Sequence, residues 1–215
     1  MRIVVRPYAT SLALGFFSFG IGMLLLGGVA NGWLHPSDRH VVGVMLASFV
    51  FPLELLSAVI AFLARDTFGA TGLGLFATSW LTLGLVDVRS SQSAISRAVG
   101  LYQFGFAFTI ALLAIAALAG KPLIAAILGL SAVRGALSGV HEWHGPAWAW
   151  TASGWLAVAI FASAMYGGLA FLLEDVHKQA LLPVFRRGAS RESLEGDLRA
   201  QLANLADEAG VRKTL

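Results

Sequence analysis

The chain has 215 residues, 57% of them apolar and only 13% charged, with a mean hydropathy of +0.76. Soluble domains carry about a quarter charged residues, so a soluble enzyme or binding domain is excluded and a multi-span membrane protein remains. With no cysteine there are no disulfides, thiolate metal sites or cysteine nucleophile, and the basic pI near 9.7 is explained below by membrane topology, without a nucleic-acid partner.

Six apolar runs follow one another, at about residues 11–34, 41–64, 68–86, 98–120, 122–140 and 148–173. Each reaches the roughly 20 residues that cross about 30 Å of hydrocarbon. All six are read as helices, because an open strand leaves its backbone unsatisfied in lipid. The first lacks a small-residue cleavage site and reads as a span, not a signal peptide. The fifth is the weakest, since it holds Arg134 and several glycines.

An even number of spans places both termini on one side. Arg2, Arg6, Arg65, Lys121, Lys178, Arg186, Arg187 and Arg191 fall near the membrane there, against Arg39, Arg89 and Arg97 opposite. The positive-inside rule then makes both termini cytoplasmic. Trp33, Trp143, Trp148 and Trp150 form an expected outer aromatic belt.

The third run, "FGATGLGLFATSWLTLG", carries no charge and mixes Gly, Thr and Ser with large aromatics. Hydrocarbon solvates Leu or Val better, so small and hydroxyl residues are expected against other helices or a wet path. Phe76, one turn from Gly72 and Trp80, is expected to face a transport path, with plain core packing as the alternative. "LGFFSFGIG" aligns with "VGLYQFGFA" 85 residues later, and "FATS" with "FASA" at the same offset. Three spans per repeat invert the second half, a common transporter design with the path at the interface of the halves. The repeat pairs Phe19 with Phe104 and Phe76 with Phe161, four aromatics for a narrow constriction.

Glu54 and Arg134 are the charges a bland bundle would lack, a central Arg costing roughly 2.5–3.5 kcal/mol on insertion scales. At 1.5 Å per residue they lie roughly 15 and 18 Å from the inner face. Either they form a buried ion pair fixing the second and fifth spans, or Arg134 attracts anions while Glu54 neutralises it or holds a proton. His35, His40, His141 and His144 fall in outer loops beside Asp38 and Glu142. Loop packing and an external pH sensor are both open for them, and "HEWH" is too sparse for a metal site. Gly135–Gly139, Gly27–Gly28 and Gly167–Gly168 offer close helix approaches within one protomer or between protomers. After Leu173 the composition turns polar, and "SRESLEGDLRAQLANLADEAG" reads as an amphipathic helix from Ser190, with Leu194, Leu198, Leu202 and Leu205 on one face. The organisation expected is a six-helix transport domain over 1–185 and a cytoplasmic amphipathic tail over 186–215.

The third span and the sixth, "SGWLAVAIFASAMYGGLAFLLED", with "LLPV" after it, resemble the acetate uptake transporter family, the bacterial succinate–acetate permeases and their fungal relatives. The resemblance covers about residues 12–185. It implies a homohexamer of six-helix protomers, each with its own path for small carboxylates. It also implies a hydrophobic constriction of a Phe, a Tyr and a Leu, which map here onto Phe19, Phe76 and Leu130. The tyrosine hydroxyl is lost at Phe76. The family's Asn-Pro-Ala-Pro-Leu-Gly-Leu signature becomes Thr10-Ser11-Leu12-Ala13-Leu14-Gly15-Phe16, without the Asn and both prolines. The family commonly carries Gln at the position aligned with Glu54.

The expectation is an all-α integral membrane protein of six transmembrane helices in an inverted three-plus-three repeat, in the plasma (inner) membrane. Its function is a passive or proton-coupled path for acetate- or succinate-like carboxylates, without a cofactor. The alternatives are a channel for urea, an amide or ammonia, or a non-transporting assembly protein. No phosphate-binding glycine loop, nucleophile elbow or metal set supports an enzyme.

Overall fold

The computed structural model describes residues 9–89, 95–177 and 179–188. Among these the regular elements are all helical: α1 (Leu12–Ala30), α2 (Asp38–Met45), α3 (Phe51–Leu63), α4 (Thr67–Arg89), α5 (Arg97–Ala117), α6 (Pro122–His144) and α7 (Ala147–His177). A π-helical segment, Leu46–Val50, joins α2 to α3 in one span. Six helical spans among the described residues are long and apolar enough to cross a membrane, and the chain is a multi-pass integral membrane protein. Arg2, Arg6, Lys178, Arg191 and the tail helix expected from Ser190 lie outside the described residues.

Two differences from the expected spans have clear causes. The first span stops at Ala30, short of the expected 34, because Gly32 adopts a left-handed φ of 68°. There the Trp33 N–H bonds the Gly28 carbonyl at 2.9 Å and the Gly32 N–H bonds that of Val29 at 3.2 Å, the paired closure of a Schellman turn. The second span begins earlier, at Asp38, and widens into the π turn just before Pro52. Proline has no N–H and its ring excludes the carbonyl four residues back, so a regular α-helix cannot run through it.

Helix packing follows the small residues. α1 lies along α7, where a Cβ on Gly27 would stand 3.2 Å from the Gly154 carbonyl oxygen, and Gly167 and Gly168 receive the Phe16 and Phe17 rings. Gly135 meets Ala107, and Gly139 meets the Phe104 ring, where α5 packs on α6. The glycine faces read from sequence as open between two uses therefore pack within one chain. α2 and α4 approach closest at Gly43 and Gly84, where a Cβ on either would lie 2.7 Å from the other's carbonyl oxygen. This contact brings the second span flat against α4 and sets Glu54 opposite Trp80.

The 85-residue spacing recurs in the helix starts, Leu12 for α1 and Arg97 for α5. Six crossings return the chain to the end where it began. There the Arg187 N–H bonds the Gly120 carbonyl at 3.1 Å, and Arg186 bonds Glu174 at 2.7 Å.

Candidate functional site

A cleft of about 540 Å³, counting the open space at its mouth, enters the bundle from the end where α1 begins and α7 ends. Its mouth carries Asp66 and Lys121, at the starts of α4 and α6. Asp66 is placed by local chemistry: its Oδ1 accepts the Gly69 N–H at 3.0 Å, capping α4. The same oxygen lies 3.6 Å from Lys121 Nζ, which also sits 5.1 Å over the Phe68 ring. Pro122 at the first turn of α6 presets the backbone that holds Lys121.

Inward the walls turn apolar, with Gly15 and Phe16 from α1, Gly72 and Leu73 from α4, and Ile124 and Ile127 from α6. The deepest lining residues on these helices are Phe19, Phe76 and Leu128, with Phe76 roughly 15 Å along α4 from Asp66. The Phe19 and Phe76 rings meet edge to face at 4.8 Å between centroids, and each is nearly buried. Phe19 also meets Trp80 at 5.9 Å, and Phe76 meets Phe106 at 5.2 Å. Four rings thus pack together at the inner end of the cleft, in the tilted geometry that aromatic quadrupoles favour.

Glu54 joins the cleft wall at this depth and is 1% exposed. The Trp80 indole N–H donates to its Oε2, while Oε1 is buried without a hydrogen-bond partner. Arg134 is also buried, at 6% exposure, and its Nε has no partner. The two charges do not form the ion pair weighed from sequence, since among the described residues the only partner of Glu54 is Trp80 and Arg134 has none. The reason is helix order: α3 packs on α4 and α1, whereas α6 packs on α5 and α7.

The other expected residues separate as well. Phe104 lies against Trp143 at 6.3 Å, and the α5 ring that reaches Phe76 belongs to Phe106. Phe161 packs beside Gly20 on α1, and among the described residues makes no ring contact with Phe19 or Phe76. Leu130 is half-buried in the core, one step round α6 from the Ile127 and Leu128 that face the cleft. The threonines of α4 do not line the cleft either: Thr71, Thr78 and Thr82 are exposed, and each bonds a carbonyl of its own helix.

The four histidines stand in separate settings. His35 bonds Ser37 at 2.7 Å, and His40 is exposed. His141 stacks on Trp150 at 4.8 Å, and His144 is exposed. In the expected outer aromatic belt, Trp33 and Trp148 are exposed, and Trp155, which the sequence reading did not include, meets Trp33 at 5.9 Å. Sequence reasoning also missed Trp80 as the partner of Glu54, Phe106, and the Asp66–Lys121 pair. A signal existed for two of these: Trp80 is four residues after Phe76 and so shares its face, and Asp66 and Lys121 each open an apolar run.

The fold is shared with the bacterial acetate channel SatP, at a TM-score of 0.74 and 19% identity over 82% of this chain and 99% of that one. A protein of Methanothermobacter thermautotrophicus is 27% identical over 192 residues, covering 84% of this chain and 93% of the relative. The sequence profile of the GPR1/FUN34/yaaH family matches residues 1–186. The resemblance carried by the third and sixth spans is thereby borne out, and the chain belongs to the GPR1/FUN34/yaaH family.

Proposed function

We propose that the chain conducts small carboxylates, acetate- or succinate-like, through the cleft and past the ring cluster of Phe19 and Phe76. The observation that carries this reading is an apolar cleft with the Phe19 and Phe76 rings in contact on its wall, in a chain of this family and with the fold of an acetate channel. Packed rings would exclude hydrated ions and larger solutes, while a small rearrangement of the two phenyl groups would admit a short carboxylic acid. Arg134, beyond the constriction on α6 and lacking a counter-charge, serves to draw anions toward the far side. The chain acts as a conduit and not an enzyme.

Arg65, Lys121, Arg186 and Arg187, at the end where α1 begins and α7 ends, support a cytoplasmic placement of that end. We read the protein as a homohexamer in the plasma membrane. Exposed Leu101, Phe108, Leu112 and Ile115 on α5 supply an apolar face for lipid or for a neighbouring copy.

A channel for a small neutral solute is the second reading. It is favoured by one observation: among the described residues the charged side chains of the cleft are Glu54, Asp66 and Lys121, so no lone cation waits at depth. Purified protein in liposomes separates the two. Acetate and succinate exchange at alkaline pH, where passive leakage of free acid is small, is expected to exceed that of protein-free liposomes at least about tenfold. Urea exchange is expected to stay at the protein-free rate. The reverse pattern establishes the neutral-solute channel.

A further inference from the structure

We propose that Glu54 is a proton-transfer residue at the threshold of the constriction: it protonates an arriving carboxylate, and the cargo passes the rings as the undissociated acid. This rests on the carboxylate reading above. Three observations support it. The Glu54 side chain forms part of the cleft wall beside Phe19 and Phe76. Trp80 holds one carboxyl oxygen by its indole N–H and is itself fixed by the Phe19 ring. The other oxygen is buried with no partner among the described residues, which leaves room for a molecule in the cleft to be its partner.

The chemistry follows from that geometry. An ionised carboxylate arriving in an apolar cleft meets no lone cation, and the ring cluster offers no donors to replace its water. Two carboxylates brought together cannot both stay ionised, so they share one proton. In the transfer step the O–H bond on Glu54 Oε1 breaks and an O–H bond forms on the cargo oxygen. The products are a neutral acid and a Glu54 carboxylate that keeps the Trp80 hydrogen bond. The acid moves on between the rings, and a proton from the bulk solution on the mouth side, relayed by water entering past Asp66 and Lys121, returns to Glu54. One proton therefore accompanies each carboxylate group, and no net charge crosses.

Few other groups compete for this role. α1 contains no titratable side chain. On α4, Asp87 lies two turns beyond Trp80 and is bound to Arg39 at 2.7 Å, and Arg89 lies at the far end of that helix. Asp66 and Lys121 pair with each other at the mouth. Arg134 makes no contact with Glu54.

Equilibrium exchange of labelled acetate across liposomes, with the same pH on both sides, tests the relay. The undissociated acid is held constant while pH is raised by one unit, so that total carboxylate rises about tenfold. Passive diffusion follows the acid alone and stays constant. Wild-type exchange above the protein-free rate is expected to rise about threefold or more. In Glu54→Gln, which keeps an acceptor for Trp80 but has no proton to give, exchange should stay flat. Flat wild-type exchange, an equal rise in Glu54→Gln, or wild-type uptake driven by an imposed membrane potential overturns the relay and leaves the carboxylate reading standing. The wild-type arms decide this even if the variant does not fold. Acetamide exchange without acetate exchange overturns the carboxylate reading and the relay with it.

Discussion

Glu54 and Arg134 are both charged residues buried near mid-span, yet their surroundings differ in every respect that governs a buried charge. Glu54 has a fixed donor in Trp80, a wall position in an apolar cleft and one bare oxygen. Arg134 has neither an ion pair nor a hydrogen bond among the described residues, although it sits on a helix packed between α5 and α7. A buried carboxyl can shed its charge by taking a proton, so its site can be dry and still cycle between two states. A guanidinium cannot, and must find an anion or remain a cost to the fold. On the two proposals above, proton chemistry falls on the cleft side of the ring cluster and anion attraction on the far side, with Phe19 and Phe76 between them.

The largest effect should come from removing that partition. Phe76→Ala deletes a ring that touches both Phe19 and Phe106 and should cost about 3–5 kcal/mol of stability, as core Phe→Ala changes do. Opening the gap should also raise the leak of small solutes about tenfold or more and remove selectivity for the protonated cargo. Liposome exchange of acetate and of urea, measured beside thermal unfolding in detergent, checks both parts. Unchanged flux with the full stability loss would return Phe76 to a packing role and erase the boundary between the two charges.

A smaller effect is expected at Arg134. Arg134→Met fills a similar volume without the charge, and replacing poorly compensated buried charges in this way stabilises proteins by about 1–4 kcal/mol. The variant should melt higher than wild type without added anions. Millimolar acetate should raise the wild-type melting temperature by mass action and leave the variant unmoved, while carboxylate flux falls several-fold. A lower melting temperature in the variant would mean that Arg134 has a partner in the assembled protein, and the contrast with Glu54 would dissolve.

The spans were legible because hydrocarbon length and composition act locally: six apolar runs became six helical crossings within a few residues at most ends. The exceptions were also local, once read as chemistry. The Gly32 turn and Pro52 are both plain in the sequence, and an early end and a widened turn follow from them. The Phe19 and Phe76 rings meet, while the 85-residue register chose Phe104 where the ring contact is made by Phe106. Two residues turn a helix by roughly 200°, so a repeat alignment good enough to match helices is too coarse to choose a face. The Glu54–Arg134 pairing failed for a related reason: depth is readable from residue counts, but which helices are neighbours depends on the whole bundle. The partner of Glu54 was instead the Trp80 singled out at the start for its position one turn from Phe76.

The smallest effect is expected at the opposite end of the molecule, where the sequence placed four candidate pH-sensing histidines. Only His35 lies in a loop, as the sequence led one to expect of all four; His40 is in the first turn of α2 and His141 and His144 are in the last turn of α6, and their contacts are to Ser37, Trp150 and the Pro146 carbonyl, not to one another. A histidine switch needs a second arrangement that its charge would favour, and isolated rings with local contacts offer none of that coupling. Replacing all four with Gln should shift stability by no more than about 0.5 kcal/mol, the usual range for surface changes. It should also leave the pH profile of acetate exchange within about twofold of wild type at every pH, whereas Glu54→Gln flattens that profile. A quadruple variant that flattened it as well would move the proton chemistry from the cleft to the outer loops, and would make Glu54, like Arg134, a charge whose role lies in packing.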